Sequence, residues 1–301
     1  MQQVAQGLQF PEGPIAMADG SIVLVEIRRG TLTRVTPDGR RETIADLGGG
    51  PNGAAIGPDG AVYVCNNGGA WEWAPDDDTH LPAGPPPMYR GGHIQRVDPR
   101  IGRFTTLYDS CEGKPLNSPN DLVFDSTGGF WFTCLGFNDG EHRHLGGVYY
   151  ARPDGSKIIR WRPGQISPNG IGLSPDERKL YWADCMMGRL YEVDLPSPGV
   201  MAPATSLAPG RVVCQLPGFQ WLDSLAVEAS GRICVATLWN GGVTIFEPSG
   251  AYEHVPFPDP VTTNICFGGA DMRDAWVTCA STGRLFKTRW PRPGLKLPYN
   301  V

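Results

Sequence analysis

Six polar residues recur at one place in six similar segments of this chain. They are Glu12, Asn52, Asn120, Asn169, Asp223 and Asn264, spaced 40, 68, 49, 54 and 41 residues apart. If one scaffold gathers them, they form a ring of two carboxylates and four amides with no cation among them. Carboxylates that face each other away from water are costly without a partner. A hard divalent ion resolves the conflict, because carboxylate and amide oxygens suit Ca²⁺, Mg²⁺ or Mn²⁺. Any one of the six alone would read as a turn cap, where Asn and Asp are common. Six in register, one of them a Glu, point to a ring.

Other candidate chemistry is weaker. Glu141-His142-Arg143-His144 matches no zinc spacing and reads as a solvated loop. The acidic run Asp76-Asp77-Asp78 reads the same way. Gly48-Gly49-Gly50 precedes no GK[ST] and no helical pattern, so it marks turns and not a phosphate loop. The sequence holds no GxSxG elbow, which argues against a Ser-His-Asp esterase.

The elements that must position the ring follow from the repeat itself. The segments are PEGPIAMADGSIVLVE, PNGAAIGPDGAVYVCN, PNDLVFDSTGGFWFTC, PNGIGLSPDERKLYWAD, LDSLAVEASGRICVAT and TNICFGGADMRDAWVTC. Each is a polar residue, a short apolar run, a turn and a second apolar run. With these spacings the pattern fits four short strands per repeat, an all-β six-bladed β-propeller forming a single domain over residues 1–301. In blade 1 the strands are expected at GPIAMA, SIVLVE, TLTRVT and RETIADL. Blade 6 has room for only three strands. The N-terminal run QVAQGLQF is expected to supply the fourth and close the ring with strands from both ends of the chain. Trp131, Trp182 and Trp276 fall in second strands and are expected in the core.

The first strand of each blade lines the channel, so the six polar residues should ring one mouth. Strand parity then returns the loops between second and third strands to that same face: 27–30, 66–92, 135–146, 184–188, 238–241 and 279–283. The 66–92 loop carries Trp71, Trp73 and Tyr89 and is expected to form a rim or lid. Phe137 and Trp239 stand on two further loops, a common place for binding residues.

Composition narrows the partners. Hydrophobic residues make up 41% of 301 residues, enough for a large core, and the net charge is −5 with no basic stripe. Nucleic acid is therefore not expected as a partner. The opening MQQVAQGLQF has no basic start and no apolar stretch, so no signal peptide is expected. No apolar run is long enough to span a membrane. Eight cysteines stand singly with no CxxC pair, which gives a zinc-thiolate site little support and suggests a reducing compartment, the cytoplasm.

FPEGP (Phe10–Pro14), NSPNDLVFD (Asn117–Asp125), SPNGIGLSPD (Ser167–Asp176), YWAD (Tyr181–Asp184) and LDSLAVE (Leu222–Glu228) together resemble the SMP-30/gluconolactonase/luciferin-regenerating-enzyme-like family. The resemblance covers nearly the whole chain. It implies one catalytic divalent metal ion, with Ca²⁺ first and Mg²⁺, Mn²⁺, Zn²⁺ or Fe²⁺ as other candidates. It implies Glu12, Asn169 and Asp223 as ligands, Asp223 also as general base, and Asn120 as the fourth residue of the site. Asn117, Asn52, Asn264, Trp71, Phe137 and Trp239 join Asn120 as expected substrate contacts. LDSLAVE departs from the family by placing Ser224 where many members have Gly. The basic substrate contact of the animal sugar-lactonase members has no clear match. The implied activity is opening of a small lactone ring, by a monomer or weak homo-oligomer. Two other readings fit the scaffold: a phosphoester hydrolase, which a substrate panel would separate, and a non-catalytic metal-stabilised binding propeller.

Overall fold

The computed structural model describes residues 1–74, 81–84, 86–204 and 208–300; the acidic run 76–78 lies outside the described residues. Six four-stranded antiparallel sheets are arranged as blades. Their innermost strands are Pro11–Ala16, Pro51–Ile56, Pro119–Phe124, Pro168–Leu173, Trp221–Val227 and Thr262–Gly268. Each packs on the next, and the last returns to the first, which closes the ring. The fourth strand of blade 6 comes from the N-terminus: Gln2–Ala5 pairs with Arg284–Arg289. That strand is shorter than the run QVAQGLQF. The chain must leave the sheet after Ala5 to carry Phe10 to the channel mouth, turning at Gly7, whose φ is 73°.

Strand alternation sends successive side chains to opposite faces, and each face of an inner blade strand meets a neighbouring blade. The inner and second strands are therefore buried almost throughout, while the outermost strand of blade 1 alternates. The result is six apolar clusters, one at each blade–blade interface. Trp131 and Trp182 are fully buried at the interface of blades 3 and 4, and Trp276 at that of blades 6 and 1, as expected.

Two features lay outside the sequence reading. Three small hairpins decorate the loops: Glu72–Trp73 with Pro82–Gly84, Ser110–Cys111 with Lys114–Pro115, and Phe137–Asn138 with Arg143–His144. The tail after Trp290 crosses the opposite mouth of the channel. Leu295 N–H donates to the Val227 carbonyl at 2.8 Å, and Leu295, Leu297 and Asn300 line the channel interior. The mouth that carries the polar ring opens into a pocket.

Candidate active site

The polar residues reach the channel because the inner strands are irregular where they stand. Pairing between first and second strands slips between Glu12 and Ile15, Pro51 and Ala54, Pro119 and Leu122, Pro168 and Ile171, and Leu222 and Leu225. A bulge of this kind re-aims the side chains beside it. In blade 6 the slip comes earlier, between Thr262 and Asn264, so Asn264 is already a paired strand residue. Small residues let the bulged strands approach. A Cβ on Gly53 would lie 2.6 Å from the Asn120 carbonyl oxygen, and one on Gly170 2.6 Å from that of Asp223.

Glu12, Asn52, Asn120, Asn169 and Asp223 thereby share the floor of one cavity of about 370 Å³, within the usual range of small-molecule sites. Glu12 accepts from the Asn264 amide at 2.7 Å and from Gly13 N–H at 2.6 Å through one oxygen, and from the Ser224 hydroxyl at 3.4 Å through the other. Burial, then the charges of Asp223 and Asp121, hold the Glu12 carboxyl well above the usual carboxylate range. Burial pushes Asp223 up to about 8, opposed chiefly by the Asn169 amide. The side-chain oxygens of Asn120 and Asn169 are buried and accept no hydrogen bond. Two repelling carboxylates and two unsatisfied amide oxygens at one spot are what a hard divalent cation would relieve. Among the described residues no three His, Cys, Asp or Glu side chains gather as a metal cluster. The oxygens gathered on the floor come from the carboxylates of Glu12 and Asp223 and the amides of Asn120 and Asn169.

Above the floor the wall is mostly carbon: Phe10, Ile27, Trp71, Leu81, Leu135, Trp221, Leu238, Trp239 and Val261. Of the expected contacts, Asn52, Asn120, Trp71 and Trp239 line this cavity. Three others do not. Asn264 faces the channel beneath, its amide committed to Glu12. Asn117 donates to the Leu145 carbonyl at 3.2 Å and braces the neighbouring loop. Phe137 stacks on His144 at 4.2 Å and sits 4.5 Å from Tyr89, joining two rim loops.

Only Glu141 and His142 of the expected solvated loop lie in a loop; Arg143–His144 is a strand paired with Phe137–Asn138, with His144 bonded to Asp139 at 2.7 Å. Yet its Arg143 lines the cavity, which the sequence reading missed, because a guanidinium can reach across a hairpin from a position that looks solvated. Asp121 was also missed. Adjacent to Asn120, it is buried in the channel with its carboxyl pushed up to about 7 by desolvation. Its signal was a carboxylate at the register position where three other blades carry Gly13, Gly53 and Gly170.

Residues 10–281 match the family model described as the SMP-30/Gluconolactonase/LRE-like region. A gluconolactonase of Zymomonas mobilis is 27% identical over 294 residues, covering 89% of this chain and 76% of that protein. Among solved structures, a gluconolactonase from Xanthomonas campestris superposes with a TM-score of 0.73 at 23% identity, covering 96% of this chain and 89% of the other. The calcium-binding protein regucalcin of Agrobacterium tumefaciens gives 0.72 at 19%, covering 96% and 95%. The structural matches speak for the propeller, whereas the family match spans the first five blades and reaches the final loop of the sixth. With the whole ring inside the matched segment, the chain belongs to the SMP-30/gluconolactonase/LRE-like family.

Proposed function

We propose that the protein is a metal-dependent hydrolase that opens a small lactone ring. The observation that carries this reading is the floor of the cavity, where Glu12 and Asp223 are buried with raised pKa values beside the unsatisfied oxygens of Asn120 and Asn169. Glu12, Asn169 and Asp223 would hold the ion, with Asn120 at its edge. The gluconolactonase names among the relatives support the reaction class, and the calcium-binding relative supports Ca²⁺ as the first candidate ion. When bound, a divalent ion polarises a carbonyl and offsets charge that develops on its oxygen.

The chain's own groups do the rest. Asp223 takes a proton from the attacking water and returns it to the ring oxygen as the C–O bond breaks. The Asn120 side-chain NH₂ donates to the former carbonyl oxygen as it gains charge. Asn264 and Gly13 N–H fix the Glu12 carboxylate in place. The apolar wall keeps bulk water off the floor, which strengthens each of these interactions. Eight free cysteines, most of them buried, support a reducing compartment such as the cytoplasm.

The test is lactone hydrolysis followed by pH-stat on chelated protein, with Ca²⁺, Mg²⁺, Mn²⁺, Zn²⁺ or Fe²⁺ restored singly. Turnover is expected to vanish on chelation and to return with at least one ion. No turnover of any lactone with any ion, alongside turnover of a phosphoester, would replace this reading with the phosphoesterase one.

A further inference from the structure

We propose that the substrate is a lactone carrying an apolar substituent, an aryl ring or short alkyl chain, and not a polyhydroxylated sugar lactone. This rests on the lactonase reading of the site and names its substrate class. The substituent would lie between two aromatic walls. One is built by Phe10 and Trp71, whose ring centroids are 6.0 Å apart. The other is built by Trp221 and Trp239 at 5.8 Å, with Phe219 stacked outside on Trp239 at 6.0 Å.

Three polar side chains stand above the floor: Asn138, which accepts from Arg143 Nη1 at 3.4 Å, and Ser167 and Arg143, which are mostly committed to their neighbours. Ser167 donates its hydroxyl to Asp184 at 2.6 Å and accepts from Met186 N–H at 2.8 Å. Arg143 gives its Nε to the Ile166 carbonyl at 3.1 Å and one terminal nitrogen to the carbonyls of Ile166 and Leu135. A sugar lactone carries hydroxyls around its ring edge. Pressed against Phe10, Leu238 and Val261 they would lose water and find no partner, which disfavours a hydroxylated ligand. An aryl or alkyl edge has nothing to lose there and buries apolar area.

The backbone points the same way. Phe10 and Trp239 are bulky residues held at φ of 56° and 73°, a region such residues rarely occupy. Each is pinned by a backbone bond: Ile27 N–H donates to the Phe10 carbonyl at 3.0 Å, and Trp239 N–H to the Pro260 carbonyl at 2.6 Å. Backbone strain of this kind collects at functional sites, and here it turns two aromatic rings toward the cavity. Trp239 and Met186 line the cavity and yet stay 43% and 42% exposed, so the apolar lining continues out to the rim where a substituent would extend.

The experiment compares kcat/KM of the metal-restored protein for δ-valerolactone, a phenyl-substituted δ-valerolactone and glucono-δ-lactone. It also titrates the corresponding phenyl-substituted δ-lactam and glucono-δ-lactam calorimetrically, since these bind without turning over. The phenyl lactone is expected to exceed gluconolactone by about tenfold or more. Trp239→Ala is expected to reduce that ratio by about tenfold, chiefly through KM. Faster turnover of gluconolactone would overturn the substrate class and leave the lactonase reading standing. So would a ratio indifferent to Trp239→Ala. Binding of the phenyl lactam that depends on Trp239, with no lactone turned over, would uphold the apolar ligand and sink the lactonase reading. Absence of both binding and turnover would sink both.

Discussion

Glu12, Asp223 and Asp121 share one buried layer of the channel, and their carboxyls are all raised by desolvation. In the unfolded chain such groups titrate near about 4. In the folded metal-free chain Asp121 is pushed up to about 7 and Asp223 to about 8. Between those values the folded state holds protons that the unfolded state has released. This contribution to stability is complete below the unfolded pKa and is lost as pH rises through the folded ones. The melting temperature of chelated protein should therefore fall between about pH 4 and about pH 8 and level off above that, while protein with Ca²⁺ restored should not follow it down, because a cation competes with those protons. Scanning fluorimetry with and without chelator reads both curves; parallel curves would show that no cation binds this layer. Asn264 gives a second test. Its amide is 2.7 Å from Glu12, so Asn264→Ala should weaken metal binding by roughly 10–100-fold, as loss of a partner that orients a ligand does, measured by calorimetry. The ring itself was legible in the chain because each member sits at one register position of a repeat. Asn264's different place was not legible, since it depends on where pairing slips in blade 6. Arg143 was hidden because its reach across a hairpin is a matter of geometry and not of spacing.

Between elements, contact is set by backbone approach at the bulges. Gly170 leaves room for blade 5: an added Cβ would come within 2.6 Å of both the Asp223 carbonyl and the Leu225 nitrogen. Backbone cannot swing aside as a side chain can. Gly170→Ala should cost about 1–3 kcal/mol as overpacking and shift Asp223 relative to Asn169, lowering kcat more than a loss of stability explains. Gly113→Ala is the control. It sits at φ 73° with nothing within 4 Å of an added Cβ, so only about 1–2 kcal/mol of left-handed strain is expected and no change in kcat. Equal effects on kcat would remove the argument that the bulges set the site. The strands themselves were readable, because turn signals such as PDG and STGG bracket runs that are apolar on both faces. In blade 1 the first strand runs Pro11–Ala16, two residues ahead of the expected GPIAMA. That error arises because proline and glycine break the apolar pattern at the very place where the bulge belongs. The small hairpins and the tail over the far mouth left no signal, for two-residue strands carry no period and a covering tail needs only scattered apolar contacts.

At the scale of the molecule, ring closure and the site are one problem. The seam lies between blade 1 and blade 6, held by Gln2–Ala5 on Arg284–Arg289 and by Leu8 N–H donating to the Gly283 carbonyl at 3.0 Å. Its apolar filling comes from both blades, Ala5, Trp276 and Leu285 from blade 6 and Ile22 and Leu24 from blade 1, with Leu8 of the connecting chain. The bond from Asn264 to Glu12 crosses this same seam, as does the Thr263 hydroxyl donating to the Pro11 carbonyl at 2.9 Å. Removing residues 1–5 takes away the outer strand of blade 6, bares a strand edge and leaves the seam to be held from the inside alone. The melting temperature should drop, and metal affinity should drop with it although no proposed ligand has been touched. If closure acts on the site through the Asn264–Glu12 bond, the two changes are not independent: Asn264→Ala should cost clearly less in the shortened protein than in the full chain, a coupling that a double-mutant cycle on metal affinity measures directly. Additive losses would mean that the terminal strand stabilises the ring without tuning its chemistry.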